Sequence, residues 1–255
     1  MLPAVNLEGV GNLKKRCEIM EWIGLTDVGK VRKNNEDAYY VPESTETFFL
    51  LADGMGGHLG GERASFLAIS TISEELKKCS KHRIKTEILN AVYKANKKIY
   101  QESLQNPDFH GMGTTLSLLY VTENKIYYTN VGDSRIYLLK DDNFIQLTRD
   151  DSFVNYLVDV GEITEEEAED HPRKNVLTKA LGTSEDFDLT VHEKVTEPGE
   201  KFLLCSDGLS TMVPFEKIKE IMMEHPIKEG AHVLMQEALD HGGCDNITLL
   251  LIALE

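Results

Sequence analysis

Phe48-Phe49-Leu50-Leu51-Ala52-Asp53-Gly54 is an apolar run that stops abruptly at an acid and a glycine. The form returns at Phe202-Leu203-Leu204-Cys205-Ser206-Asp207-Gly208, and Asn130-Val131-Gly132-Asp133 puts a third aspartate in a break between two strand-like stretches. Near the C-terminal end the order inverts, with Asp245-Asn246 immediately before the apolar run Ile247–Ala253. Asp37 stands at a similar junction, after Asn34-Asn35-Glu36 and before Ala38-Tyr39-Tyr40-Val41. Taken singly, each aspartate is ordinary turn chemistry. Taken together they suggest more. In antiparallel sheets the end of one strand lies beside the beginning of its neighbour, so aspartates that end two strands and begin another can converge on one edge of the core.

Further segments rich in β-branched and aromatic residues predict strands near 20–26, 47–52, 114–121, 125–130, 134–139, 189–195, 201–205 and 246–253. Short turns such as Thr122-Glu123-Asn124 favour antiparallel pairing. Ile84, Ile88, Ala91, Val92, Ala95 and Ile99 mark one stripe of a 3.6-residue period, and Leu67, Ile72 and Leu76 mark another helix before it. Helical patterns return at about 214–224 and 229–240. Strands and helices are partly segregated without βαβ alternation, which predicts an α+β fold of antiparallel sheets covered by helices. From Thr148 to Thr183 the pattern loosens into short, charged, helix-prone pieces with Gly161 and Pro172, either a flap over a site or a plain surface insertion. Residues 1–19 read as an N-terminal extension and 20–255 as one domain.

The chain has 255 residues, 27 basic against 43 acidic, for a formal charge of −16. That balance argues against nucleic acid or an anionic membrane as partner. Cys17, Cys79, Cys205 and Cys244 are widely spaced, which fits a reducing cytoplasm better than a disulfide framework or a zinc site. No apolar run approaches the roughly 20 residues that span a bilayer. Several carboxylates meeting at one edge would repel and lose solvation, a costly state unless a cation intervenes. Oxygen ligands select hard cations, Mg²⁺ or Mn²⁺, and two of them can activate water and neutralise a transferring phosphoryl group. Cysteine-phosphatase, P-loop and Gly-x-Ser-x-Gly signatures are absent from the sequence.

The ordered motifs resemble the metal-dependent serine/threonine protein phosphatases of the 2C type, in their compact bacterial branch. They are Thr26-Asp27-Val28-Gly29-Lys30-Val31-Arg32 with Asn35-Glu36-Asp37-Ala38, Ala52-Asp53-Gly54-Met55-Gly56-Gly57-His58, Gly111-Met112-Gly113-Thr114-Thr115, Val131-Gly132-Asp133-Ser134-Arg135, Leu177-Thr178-Lys179-Ala180-Leu181-Gly182, Cys205-Ser206-Asp207-Gly208-Leu209 and Asp245-Asn246-Ile247-Thr248. The resemblance implies a four-layer α-β-β-α sandwich with the metals at one end. It implies Asp37, Asp53, Asp207 and Asp245 as ligands of two core ions, with Asp53 bridging and the Gly54 carbonyl contributing. Glu36 would reach a metal-bound water, Asp133 with Asp207 would hold a third ion, and Arg32 would grip the substrate phosphate.

The implied reaction is direct hydrolysis of phosphoserine and phosphothreonine by a metal-bridging hydroxide. The implied partners are phosphorylated proteins, among them a serine/threonine kinase, met by a monomeric cytoplasmic enzyme. Met55 stands where eukaryotic relatives carry a histidine after Asp-Gly; His58, three residues on, is one candidate general acid, a metal-bound water is another, and a loop histidine without a catalytic part is a third possibility. Lys179 and Cys244 also depart from the usual pattern but touch no implied ligand. A hydrolase of small phosphate esters and a non-catalytic binding protein are the competing functions.

Overall fold

The run at 48–52 carries no polar alternation because both of its faces are buried. Phe48, Leu50 and Ala52 pack with Leu67, Ile72, Ile88 and Val92, whereas Phe49 and Leu51 join Trp22, Phe202, Leu204, Leu250 and Ile252 in a separate cluster. The same division splits 202–205 and 249–252: Leu203, Cys205, Leu249 and Leu251 face a third cluster built with Ile218, Ile221, Ala231 and Leu234. Three apolar layers between four structural layers follow directly, two sheets face to face with helices on each outer side.

The computed structural model describes residues 9–15, 18–43, 45–56, 59–79, 83–186 and 188–254. Its strands are β1 (Gly9–Lys15), β2 (Glu18–Asp27), β3 (Asp37–Tyr40), β4 (Phe48–Met55), β5 (Gly113–Thr114), β6 (Leu116–Val121), β7 (Lys125–Val131), β8 (Arg135–Lys140), β9 (Asn143–Gln146), β10 (His192–Val195), β11 (Lys201–Cys205) and β12 (Ile247–Leu254). Its α-helices are α1 (Gly60–Leu76), α2 (Ile84–Gln105), α3 (Phe153–Asp159), α4 (Glu165–Glu169), α5 (Asp207–Ser210), α6 (Phe215–Glu224) and α7 (Ile227–Asp240). One sheet runs β1-β2-β12-β11-β8-β9 and the other β10-β7-β6-β4-β3, with β5 paired to β4. Every pairing is antiparallel. Helices α1 and α2 cover the second sheet, and α6 and α7 cover the first. Among the described residues no helix is long and apolar enough to cross a membrane.

One feature differs from the sequence-based expectation. Within the segment 1–19, which read as an extension ahead of the domain, β1 pairs with β2 from Gly9↔Gly24 to Lys15↔Glu18 and forms the sheet edge. The stretch Gly9-Val10-Gly11-Asn12-Leu13-Lys14-Lys15 has no period-two pattern, and an edge strand does not need one. The segment 148–183 carries α3 and α4, in keeping with the short helix-prone pieces read from its sequence. Ser152 caps α3 by accepting the Asn155 amide, and Thr164 and Glu167 form a capping box on α4. Its root and return are bridged at Ser152↔Leu177 and Thr114↔Leu181.

Phe49 is fully buried between the sheets, edge-on to Trp22 at 5.9 Å between ring centroids. Phe49→Ala should lower the unfolding free energy by about 3–5 kcal/mol, measurable by denaturant titration, because the gap lies between two hydrogen-bonded sheets that cannot close over it.

Candidate functional site

Strand pairing alone brings the aspartates to one end of the sandwich. In the β3–β4 ladder Asp37 stands directly opposite Asp53. In the β11–β12 ladder Cys205 opposes Leu249, so Asp207 just beyond β11 and Asp245 just before β12 leave the first sheet at the same end. Asp133 lies where the chain crosses from β7 in the second sheet to β8 in the first. Asp53 stands among the other four, its carboxyl feeling the charges of Asp37, Asp207, Asp133 and Asp245.

The two sheets are tied together at this end by side chains. Ser206 Oγ and Thr248 Oγ1, both on the first sheet's side, donate to Asp37 Oδ2 at 3.0 and 2.6 Å. Asn246 is 5% exposed and uses its whole amide as a clamp. Its Oδ1 accepts the Glu36 amide at 2.8 Å, while Nδ2 donates to the Val28 and Asn34 carbonyls at 3.0 and 2.9 Å. The loop that bears Arg32 and Glu36 is thereby fixed against Asp245. Backbones pass too closely here for side chains: a Cβ on Gly54 would lie 2.1 Å from the Gly61 carbonyl oxygen and 2.6 Å from that of Glu36. One on Gly208 would lie 1.9 Å from the Asn246 oxygen. Glycine after the aspartate is thus a packing requirement on both strands.

Concentrating acids in a partly closed pocket has the expected electrostatic result. Burial pushes the Asp37 carboxyl up to about 7; the Thr248 and Ser206 hydroxyls oppose the rise, and the charges of Asp207 and Asp245 add to it. Asp133 rises to about 7 through burial, with Asp207 and Asp150 adding to the effect. Asp53 is driven well above the ordinary carboxylate range by burial and then by its four acidic neighbours. Asp207 is raised by burial and by Asp245. Asp37 Oδ1 is buried and has no hydrogen-bond partner among the described residues. A buried carboxylate oxygen without a donor is costly, and a cation is the partner its chemistry suits. Carboxylate oxygens as the donor set favour a hard divalent cation. Among the described residues no three acidic, histidine or cysteine side chains already form a ligand cluster, so the aspartates are neighbours and not a finished coordination shell.

Arg32 borders this centre, with Nη2 2.6 Å from Asp245 Oδ2 and its side chain 52% exposed. The remaining donors of its planar fork are suited to an incoming anion. Glu36 follows the same clamped loop, and its Oε2 would be 1.9 Å from a Cβ on Gly61. His58 lies outside the described residues. Lys179 stands 3.7 Å from Asp151 and donates to the Asp188 carbonyl, at the flap base. The supporting residues Ser206, Thr248, Asn246 and Thr115 all occur inside motifs visible in the sequence. Their roles were hidden because each acts on a residue 62 to 211 positions away in the chain.

Residues 30–241 match the family model described as Protein phosphatase 2C. The chain is 36% identical over 249 residues to the protein phosphatase PhpP of Streptococcus pneumoniae, covering 92% of this chain and 98% of that one. Its structure is similar to that of the Mycobacterium tuberculosis serine/threonine phosphatase PstP/Ppp, with a TM-score of 0.87, 38% identity, and coverage of 92% and 99% of the two chains. It is also similar to the catalytic domain of the serine threonine protein phosphatase PstP in complex with two manganese ions, at a TM-score of 0.84, 36% identity, and coverage of 93% and 99%.

The raised carboxyls set the pH dependence of the metal-free protein. Asp37 and Asp133 move from 3.8 to about 7, so the folded state holds protons that the unfolded chain has released. Their contribution to stability is fully present below about pH 4 and is lost as pH rises through 7. Chelator-treated protein should therefore lose stability from these groups over that window. Saturating Mn²⁺ should raise Tm by roughly 5–10 °C at about pH 8 and by less at about pH 5, where protons compete for the same oxygens. Thermal melts at the two pH values check both signs.

Proposed function

We propose that this chain, which belongs to the protein phosphatase 2C family, hydrolyses phosphoserine and phosphothreonine in proteins with Asp37, Asp53, Asp207 and Asp245 holding two divalent cations, Mn²⁺ or Mg²⁺. The chain is an enzyme, a metal-dependent serine/threonine protein phosphatase by family. The observation that carries the assignment of ligands is the buried, unpartnered Asp37 Oδ1 beside four further carboxylates. Bound cations supply activation of a water and neutralisation of phosphoryl charge.

The chain's own residues do the rest. Asp53, opposite Asp37 on the neighbouring strand, would be a ligand of both ions, and the backbone carbonyl of Gly54 would add an uncharged oxygen. Ser206 and Thr248 occupy Asp37 Oδ2 with hydroxyl donors and leave Oδ1 for a cation. Glu36, held by Asn246, orients water at the centre. Arg32 keeps one donor on Asp245 and offers the others to the phosphate oxygens, aligning the ester for direct attack with no phosphorylated protein side chain. Asp133, with Asp207, would hold a third ion. The leaving serine or threonine oxygen takes a proton, for which His58 is one candidate and a water at the centre another. The flap between 148 and 183 meets the protein part of the substrate, and a serine/threonine kinase is among those substrates in the cytoplasm.

Purified protein with Mn²⁺ should release phosphate from a phosphothreonine peptide, and excess EDTA should abolish it; release that survives EDTA would count against the assignment. Asp207→Asn should reduce turnover by roughly 10³-fold or more, since a neutral amide no longer balances the cations. Arg32→Ala should lower kcat/KM on the same peptide by roughly 10²-fold while leaving Mn²⁺ binding in place. Calorimetry and initial rates on one preparation separate those two effects.

A further inference from the structure

Four of the acidic residues at the centre are located by strand ladders or by the turns that close them. Asp133 is not. It sits on the crossover from β7 to β8, where Gly132 (φ +92°) breaks the strand and the chain leaves one sheet for the other. Something other than ladder hydrogen bonds must set its place relative to Asp53, and the structure contains a specific device.

Thr115 holds Asp53 from both sides of its backbone. The Asp53 amide donates to Thr115 Oγ1 at 2.9 Å, and the Thr115 amide donates back to the Asp53 carbonyl at 2.8 Å. Thr114 Oγ1 adds a second donor to that carbonyl at 2.8 Å. The same Thr115 hydroxyl lies 2.7 Å from Ser134 Oγ, and both residues are buried, at 2% and 0% exposure. A Cβ on Gly132 would come within 2.7 Å of Thr115 Cγ2 and 2.9 Å of its Cβ, so the threonine's methyl side is seated on the crossover as well. Thr115 is therefore in contact with the backbone of Asp53 and with residues on each side of Asp133. A buried hydroxyl pair has no water to replace it, which gives the link a defined length. The outer side of the crossover is tied separately, by Gly132 N to Asp151 Oδ2 at 3.1 Å and Asp151 N to the Gly132 carbonyl at 2.9 Å.

We infer that Thr115 and Ser134 are positioning residues that fix Asp133 relative to Asp53 and thereby set the affinity of the centre for its third cation. The inference rests on the assignment of Asp133 to a third ion made above. Both hydroxyls act through the aspartates, Thr115 by its bond to the Asp53 amide and Ser134 as the neighbour of Asp133, as outer-sphere partners of metal ligands do.

The test is Mn²⁺ titration calorimetry on the full chain after chelator treatment, with the melting temperature of the metal-free protein as a control. Asp133→Ala should lose the weaker binding event and keep the tight ones. Ser134→Ala, which leaves Thr115 Oγ1 available to the Asp53 amide, should weaken the same event about tenfold or more, with the tight ions and the metal-free Tm near wild type. Thr115→Ser should retain all binding. If Ser134→Ala does not yield folded protein, Thr115→Val takes its place: loss of the weaker ion there and its retention in Thr115→Ser is the expected pair. An unchanged weaker ion in the hydroxyl-deleted variant, or loss of tight and weak ions together in Ser134→Ala, overturns the inference while leaving the third-ion assignment intact. Retention of the weaker ion in Asp133→Ala instead overturns that assignment, and the inference with it.

Discussion

Five carboxylates gathered at one end of a sandwich repel one another and are poorly solvated, and the fold has to hold them there regardless. Asp37 shows how. Its Oδ2 takes hydroxyl donors from Ser206 and Thr248, residues of the opposite sheet, so the bond that steadies the acid also joins the two sheets. The unpartnered Oδ1 and the raised affinity of these carboxyls for protons are the cost of that arrangement.

The layered core makes this possible. Strands buried on both faces, such as β4, β11 and β12, are rigid along their length, and rigid strands deliver their terminal residues to defined points. The helices that close the outer faces contribute little to the centre directly. Their part is to bury the outer sheet faces, which allows the unbroken apolar run Phe48–Ala52 to reach the residue before Asp53.

Where strands cannot do the positioning, polar side chains take over. Asn246 fixes the loop of Arg32 and Glu36, the Thr115–Ser134 pair spans the sheet crossover, and Asp151 joins that crossover to the root of the flap. The flap is consequently not an independent appendage: its root bonds to Gly132, and its return pairs with Thr114 next to the residue that grips Asp53. The flap is thus two hydrogen-bonded steps from Asp53.

Much of this was legible without coordinates. Apolar runs ending in Asp-Gly, together with the reversed Asp-Asn before the last strand, determined that the acids stand at strand ends, and antiparallel pairing then implied that they meet. The 3.6-residue stripes located the four main helices, and the ordered motifs carried the family. Sequence could not show the edge strand β1, whose pattern lacks alternation, or how the flap is tied to the rest of the fold. Nor could it show which oxygens are already occupied. Ser206, Thr248, Asn246, Thr115 and Ser134 are common polar residues whose meaning lies entirely in contacts with distant parts of the chain. Local chemistry sets which residues can bind a cation; only the packing of two sheets decides which atoms of those residues are left free to do so.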